Sequence, residues 1–341
     1  MQRKFPIFTV AALLTSSGLI DAAELPVGET RLSGTLFLDS TWLRKKSSGM
    51  PDNSDANVDL KRFFFNIDHR FSEVWSAQIT TDIQWMRHDY PDPWLRHAYI
   101  QGNFSKAFTM RLGAAPTPWR SYVNKWSGYR YVERDLTARA RIGGGSDWGG
   151  HVSGSFDTAG HIHYAAAVMT GASYQKLRVG DIPDVSVRIS WEPNENSAIS
   201  LGSYRGRFAQ DYGIRQALHT AQSWNLMAAW ANEHWRIGGQ YFYARNLYRI
   251  LQPDSDRSYG WSVWTSMQLT PVVAVLARHD KLKPSTWLDP YQQDRYSHIG
   301  LEWKINSSLR MAAIWKHGSI RNINQQRQTI DEAGVWARIH F

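Results

Sequence analysis

Apolar and polar residues alternate over most of the chain, in stretches of about ten residues. A period of two is typical of a β-strand whose two faces meet different surroundings. In segment 75–85 one face carries Trp75, Ala77, Ile79, Ile83 and Trp85. The other face carries Ser76, Gln78, Thr80, Asp82 and Gln84. No window after residue 22 shows a sustained 3.6-residue apolar period, so the pattern predicts strands rather than helices.

The alternating segments number about sixteen and predict one large antiparallel barrel. They cover residues 31–43, 58–71, 75–88, 94–104, 107–115, 148–157, 160–171, 183–192, 197–207, 220–232, 234–246, 258–270, 272–281, 295–305, 308–318 and 330–341. Short connections such as 105–106 alternate with long ones such as 44–57 and 208–219. Short periplasmic turns and long extracellular loops are typical of outer-membrane barrels. The predicted fold is therefore an all-β transmembrane barrel of about 16 strands.

The composition agrees with a barrel and excludes several other classes of protein. The sequence has 17 Trp, 15 Tyr and 13 Phe, which suits the aromatic girdles of a barrel in lipid. A mean hydropathy of −0.46 argues against a polytopic helical membrane protein. The sequence has no cysteine, which excludes disulfide scaffolds, cysteine-ligated metal sites and thiol nucleophiles. The last segment alternates up to Phe341, and a terminal aromatic residue resembles the outer-membrane assembly signal.

The first 22 residues are predicted to be a secretory signal peptide. Arg3 and Lys4 precede the apolar run from Phe5 to Leu14, which is too short to span a bilayer as a helix. We expect cleavage after Ala22 or Ala23. The predicted organisation is a signal peptide over 1–22 and an outer-membrane barrel over 23–341.

A surplus of positive charge is predicted for the barrel interior. The chain has 39 Lys and Arg against 30 Asp and Glu. The 32-residue segment 116–147 is the longest connection and is expected to fold inward as the third long loop. Its cations are Arg120, Lys125, Arg130, Arg134, Arg139 and Arg141. Its acids are Glu133, Asp135 and Asp147.

Strand alternation adds cations to the lumen-facing side of the predicted wall. These are Arg62, Arg70, Arg111, Arg188, Arg236, Lys304, Arg310, Lys316 and Arg338. The predicted acids on that side are fewer, chiefly Asp39, Asp68, Asp82 and Glu302. A barrel of this size encloses a water-filled space, where lining cations attract anions and repel cations. The pattern leaves the facing of Arg96, Arg205 and Arg278 open.

Residues 58–141 resemble the corresponding part of the phosphate-selective porin family, the outer-membrane O/P-type channels. The similar segments are Leu60–Ile67, Gln78–Asp82, Arg96–Ile100, Arg111–Trp119 and Val132–Leu136. These motifs occupy about a quarter of the chain. Their shared order carries the resemblance.

The resemblance implies a homotrimeric porin whose third loop forms a basic constriction. By position, Lys125 resembles a constriction lysine, Asp82 the aspartate facing it and Arg120 a second lysine of the family. The sequence departs from the family at Trp119-Arg120-Ser121 and in having a single loop lysine, so we expect a preference for anions in general rather than for phosphate alone. The predicted anion-binding constriction is Lys125, Arg120, Arg130, Arg134, Arg62 and Arg111, with Asp82 as counter-charge. The expected partners are phosphate, pyrophosphate and outer-membrane lipid.

Other functions have weaker support. A general, weakly selective porin or an organic-acid porin is the main alternative, and an outer-membrane barrel hydrolase is a less favoured one. His161 and His163 share a strand face, but no suitable third metal ligand is apparent. We therefore predict no enzyme activity, cofactor or metal site, and no nucleic-acid partner.

Overall fold

The computed structural model describes residues 25–86, 89–321 and 326–341. The predicted signal peptide, residues 1–22, lies outside the described residues. The described residues form sixteen strands and two short helices. In chain order these are β1 (Thr30–Ser47), β2 (Asn53–Arg70), β3 (Trp75–Trp85), β4 (Asp92–Ser105), β5 (Phe108–Pro116), α1 (Arg120–Ser127), α2 (Leu136–Arg139), β6 (Ser146–Ser155), β7 (Ile162–Gly171), β8 (Val179–Asn194), β9 (Ser197–Gly206), β10 (Ala221–Ala231), β11 (Trp235–Arg245), β12 (Arg257–Thr270), β13 (Val273–Lys283), β14 (Gln293–Lys304), β15 (Leu309–Arg321) and β16 (Arg327–His340).

The strands close into an antiparallel barrel. Each strand pairs with the next along the chain, and β16 pairs with β1. Closure gives every described strand a partner on both sides, as a sheet in lipid requires, because hydrocarbon offers no other hydrogen-bonding groups. The predicted fold class is confirmed. β1 and β2 run further than predicted because their polar ends, such as Arg44 opposite Ser54, still pair across the hairpin.

The outer surface is a belt of exposed apolar side chains. On β3, Trp75, Ile79 and Trp85 are exposed, while Thr80 and Asp82 between them are buried inside the barrel. Exposed Val187, Ile189 and Trp191 repeat the pattern on β8. A contiguous apolar surface of this extent suits lipid and not water. Together with closure, the belt supports an outer-membrane location.

The two rims of the barrel differ in their connections. Two residues join β4 to β5, β8 to β9 and β12 to β13. At the opposite rim, residues 207–220, 246–256 and 284–292 form longer connections. We call these ends the short-turn rim and the long-loop rim. Among the described residues, no helix has the length and apolar character needed to cross a bilayer.

Residues 117–145, here called the inner loop, fold into the barrel and contain α1 and α2. Pro116 belongs to β5, and Ser146 and Asp147 belong to β6, so the loop is slightly shorter than predicted. Its apolar side chains form three clusters on the inner wall. The loop members are Trp119, Tyr122, Val123 and Trp126, then Tyr131 and Val132, then Leu136, Ala140 and Ile142. Each fully buried large side chain contributes about 1.5–3 kcal/mol to holding the loop.

Ion pairs also hold the inner loop against β13–β15. The Arg139 guanidinium donates to Asp280 on β13 at 2.7 Å and to Asp294 on β14 at 3.0 Å. The buried Lys316 ammonium on β15 donates to the carbonyl oxygen of Val132 at 3.0 Å. Burial raises the pKa of the loop carboxyl Glu133, but the attraction of Lys316 and other nearby cations outweighs it and leaves this pKa below its ordinary value. The loop is therefore anchored on the far wall.

Candidate functional site

Four arginines gather where the inner loop faces the wall formed by β2–β4. The guanidinium carbons of Arg62, Arg96 and Arg130 lie 6.0, 4.8 and 5.2 Å from the centre of the Phe64 ring. Arg120 lies beside them, because it and Arg96 both border Gly145. A methyl group added at Gly145 would lie 3.9 Å from an Arg120 nitrogen and 3.5 Å from an Arg96 nitrogen. We call Arg62, Arg96, Arg120 and Arg130 the guanidinium group. Two of its members come from the wall and two from the inner loop.

Two β-bulges turn basic side chains into the lumen. On β4, Thr80 pairs with His97 and Thr81 with Leu95, so Arg96 is an extra residue in the ladder. On β2 the register shifts between Leu60 and Phe63. A bulge re-aims the side chains beside it. Strict alternation is therefore broken at the positions that carry the wall cations.

Asp82 on β3 supplies the carboxylate that the wall arginines contact. It is fully buried, forms an ion pair with Arg62 and lies 3.7 Å from Arg96. The Tyr174 hydroxyl, from the connection after β7, donates to Asp82 at 2.7 Å and accepts from Arg62 at 3.1 Å. The other Asp82 oxygen, Oδ1, has no hydrogen-bond partner among the described residues. Asp82 thus neutralises part of the guanidinium group.

Burial and mutual repulsion act on the two loop arginines. Burial lowers the pKa of the Arg120 guanidinium, and attraction to Asp135 only partly offsets this. The Asp135 carboxylate already caps α2 by accepting from Ala138. Burial, followed by repulsion from Arg96 and Arg62, lowers the pKa of Arg130 well below its ordinary value. An arginine nevertheless stays protonated at neutral pH, so the repulsion remains for an anion to relieve.

The other predicted site residues lie apart from this group. The Lys125 ammonium, at the end of α1, donates to Glu192 on β8 at 3.3 Å, and nearly half of its side chain is exposed. Arg134 is exposed, and its backbone oxygen accepts from Arg278 at 2.7 Å. Arg111, on the wall at β5, donates to Gln101 at 2.5 Å. Of the predicted set, the structure therefore brings together Arg62, Arg120, Arg130 and Asp82.

Sequence reasoning missed three groups that bear on the site. Arg96 was left unassigned because its bulge hides the parity. Lys61 was not among the predicted lumen cations; it lies at the β2 bulge, and its ammonium is 2.8 Å from Asp39. For both residues, the signal available in the sequence was an interruption of the apolar–polar alternation next to a basic residue. Tyr174 lies in a connection, where alternation carries no information. Arg278 faces inward and Arg205 outward.

The inner wall carries more acid than the sequence analysis predicted. Besides the predicted acids, the structure places further carboxylates inside, including Asp59, Asp184, Asp280 and Glu332. Asp280 lies in a segment of ambiguous parity, Asp59 lies just before the β2 bulge, and the other two share the lumen-facing parity of their strands. Several pair with cations: Asp280 with Arg278 and Glu332 with Lys316. Part of the positive charge on the inner wall is therefore paired, and the guanidinium group is a place where arginines outnumber the carboxylates in contact with them.

Metal-ligating side chains do not cluster in the described part of the chain. No group of three or more His, Asp or Glu within it has the proximity needed to hold an ion. The ring nitrogen of His161 lies 3.8 Å from Asp157 in its own turn. His163 contacts Ser155 at 3.0 Å.

Comparison with known proteins finds similarity in fold only. No protein-family model matches the sequence, and no curated protein matches it. Among solved structures, the anion-selective porin from Comamonas acidovorans aligns with a TM-score of 0.66 and 11% identity, covering 92% of this chain and all of that one. The outer membrane channel DcaP of Acinetobacter baumannii gives 0.65 and 10%, covering 92% and 98%. Salmonella typhi OmpF, in complex with daunomycin, gives 0.63 and 9%, also covering 92% and 98%. The chain has the fold of these outer-membrane porins.

Proposed function

We propose that this barrel is an outer-membrane channel through which small anions diffuse, with the guanidinium group as its selective site. The observation that carries the proposal is the gathering of Arg62, Arg96, Arg120 and Arg130 between the inner loop and the wall, with Asp82 as the carboxylate that the wall arginines contact. In a narrow passage with low-dielectric walls, such a surplus attracts anions and repels cations.

Phosphate or pyrophosphate is the anion class that we propose for the site. A guanidinium presents a rigid fork of donors that matches two oxygens of a phosphate, whereas an ammonium offers a point charge. Arg62, Arg96 and Arg130 share one aromatic ring, so an anion could pass from one fork to the next. The resemblance of residues 58–141 to the phosphate-selective porins supports this choice, and it supports a homotrimer as well.

The fold comparison supports a channel in a more general way. Solved structures with this fold include a porin described as anion-selective, from Comamonas acidovorans. At 11% identity the likeness extends to the barrel and not to individual side chains. The proposal for anions therefore rests on the arginines of this chain.

The test is a planar-bilayer measurement of the reversal potential under a KCl gradient. We expect an anion-over-cation permeability ratio of about 10, since a focused field of one sign enriches counter-ions by this order. Phosphate and pyrophosphate should then block the chloride current, and the same buffer without either anion should not. A cation-preferring channel would refute the proposal, and absence of block would remove the phosphate-binding part alone.

A weakly selective channel is the second candidate, and one observation favours it. Many inner-wall cations are already paired: Lys61 with Asp39, Lys125 with Glu192 and Arg139 with Asp280. If these pairs dominate the field along the passage, the permeability ratio will lie near one. The same bilayer experiment therefore separates the two candidates.

A further inference from the structure

Three pairs of like charges face each other on the outside of the barrel at the long-loop rim. Arg245 lies directly opposite Arg257 across β11 and β12. Lys281 lies opposite Arg295 across β13 and β14. Arg321 lies opposite Arg327 across β15 and β16. We call these six residues the rim cations.

The rim cations point to the lipid side and not into the lumen. On β11, Phe242 and Ala244 are buried inside, so Arg245 shares the outer face with exposed Tyr241. The alternation is the same on the other five strands. Five of the six rim cations are exposed, and Lys281 is half-buried.

The rim cations lack carboxylate partners. None of the six takes part in an ion pair among residues 25–86, 89–321 and 326–341. The outward carboxylate of Asp331, on β16, is engaged by the ring nitrogen of His317 at 2.7 Å. Like charges that face each other across two strands destabilise a sheet. An anion that bridged each pair would relieve this repulsion.

The surroundings of the rim cations indicate where that anion comes from. The same outer face carries aromatic contacts level with the rim cations or further along the strands toward the middle of the barrel: Tyr241 with Tyr259 at 6.5 Å between ring centres, Trp261 with His279 at 5.3 Å, and Trp315 with His317 at 5.9 Å. Aromatic rows of this kind sit at the level of lipid headgroups, with the aliphatic belt in the acyl chains below. The rim cations therefore lie at the depth of headgroup phosphates.

We propose that the outer face of β11–β16 is a binding site for a lipid whose headgroup carries phosphate monoesters. Each phosphate is bridged by one like-charge pair, which donates to its oxygens from both strands. The acyl chains of the lipid lie on the apolar belt, where Ile237, Val263 and Ile299 are exposed. The site is independent of the passage and of the anion selectivity proposed for it.

The test measures lipid preference in bilayers with the full barrel. Spin-labelled phosphatidic acid and phosphatidylcholine serve as probes, and the motionally restricted fraction of each label gives their relative association. The wild type should prefer phosphatidic acid about tenfold, as expected for charge-assisted hydrogen bonds to a phosphate. Replacing Arg245, Arg257, Lys281 and Arg295 together by Gln should bring this preference to about twofold or less.

The chain offers a matched control and a second readout. Arg205 is also outward and exposed at this rim, but it faces Val185 and Gln222 and not a cation, so Arg205→Gln should keep the preference. In micelles of a short-chain phosphatidylcholine the fourfold variant should unfold at a higher temperature than wild type, because the repulsion is gone. Phosphatidic acid should stabilise the wild type more than the variant.

Two results would overturn the proposal. One is an unchanged preference for phosphatidic acid in the fourfold variant. The other is stabilisation of the wild type by inorganic phosphate as strong as that by phosphatidic acid at equal concentration, which would assign the pairs to a free ion. In either case the permeability ratio of the channel should not change, so this site and the proposed anion passage are judged separately.

Discussion

At the residue scale, the passage is defined by how few counter-charges its arginines have. Arg62 contacts Asp82 and Tyr174. Arg130 contacts the Phe64 ring, and its strongest charge interactions are repulsion from Arg96 and Arg62. Arg130 also comes from the inner loop and faces the wall. It is therefore the single side chain whose charge should matter most to a passing ion.

The first prediction compares Arg130→Glu with Lys125→Glu. Reversing Arg130 should lower the anion-over-cation permeability ratio by about tenfold, because a charge change of two acts inside the passage where the field is focused. Lys125 is half-exposed and paired with Glu192, so its reversal should have a smaller effect. Reversal potentials of both variants, with outward Arg205→Glu as control, check this. A larger effect at Lys125 would favour the site implied by family resemblance over the guanidinium group.

The second prediction concerns Asp82→Asn. An asparagine keeps a hydrogen-bond acceptor for Tyr174 and Arg62 but removes the negative charge. The guanidinium group would then hold anions more tightly, so phosphate should block chloride current at a concentration about tenfold lower. Single-channel recordings should also show longer block events. If phosphate blocks both proteins at the same concentration, the charge of Asp82 does not affect anion binding and its role is to hold the wall residues in place.

At the scale of elements, two devices build the site: β-bulges in the wall and packing of the inner loop. The bulge on β4 turns Arg96 inward, and the one on β2 lies beside Arg62. The inner loop needs room on the opposite wall, which Gly202 on β9 provides for the ring of Trp119. A methyl group at Gly202 would lie 2.4 Å from that ring.

The third prediction follows from this close approach. Gly202→Ala should destabilise the packed loop by about 1–3 kcal/mol, the usual effect of overpacking a core. We expect a lower unfolding temperature and a changed single-channel conductance, because the loop must shift to accommodate the methyl group. Gly318→Ala is the matched control, since a methyl group there would meet nothing closer than 3.7 Å. Equal stability of the two variants would contradict the packing argument.

At the scale of the whole molecule, like-charged side chains gather on two surfaces with different surroundings. One share lies in the passage, where water and ions have access. The other lies among the rim cations at the headgroup level. The inner-wall acids neutralise much of the remaining charge inside.

The fourth prediction uses salt to separate the long-range field from local contacts. Raising KCl from 0.1 M to 1 M shortens the screening length from about 10 Å to about 3 Å. The permeability ratio should therefore fall by several-fold but stay above one, because the guanidinium group acts on an ion in contact with it. Reversal potentials over this range, at a fixed concentration gradient, measure the effect. A ratio independent of salt would place selectivity entirely in direct contacts.

The sequence alone determined the barrel, its strand number and the facing of regular strands, because a period of two is a local property that each strand carries by itself. Arg62, Asp82 and Lys316 could be assigned to the lumen in this way. Only the tertiary structure decided which side chains meet. Arg96 depends on a bulge, Tyr174 on the connection after β7 and the Lys125–Glu192 pair on where α1 lies. The rim cations depend on strand register. Bulges, register and loop packing are set by contacts between residues far apart in the chain, and no local pattern records them.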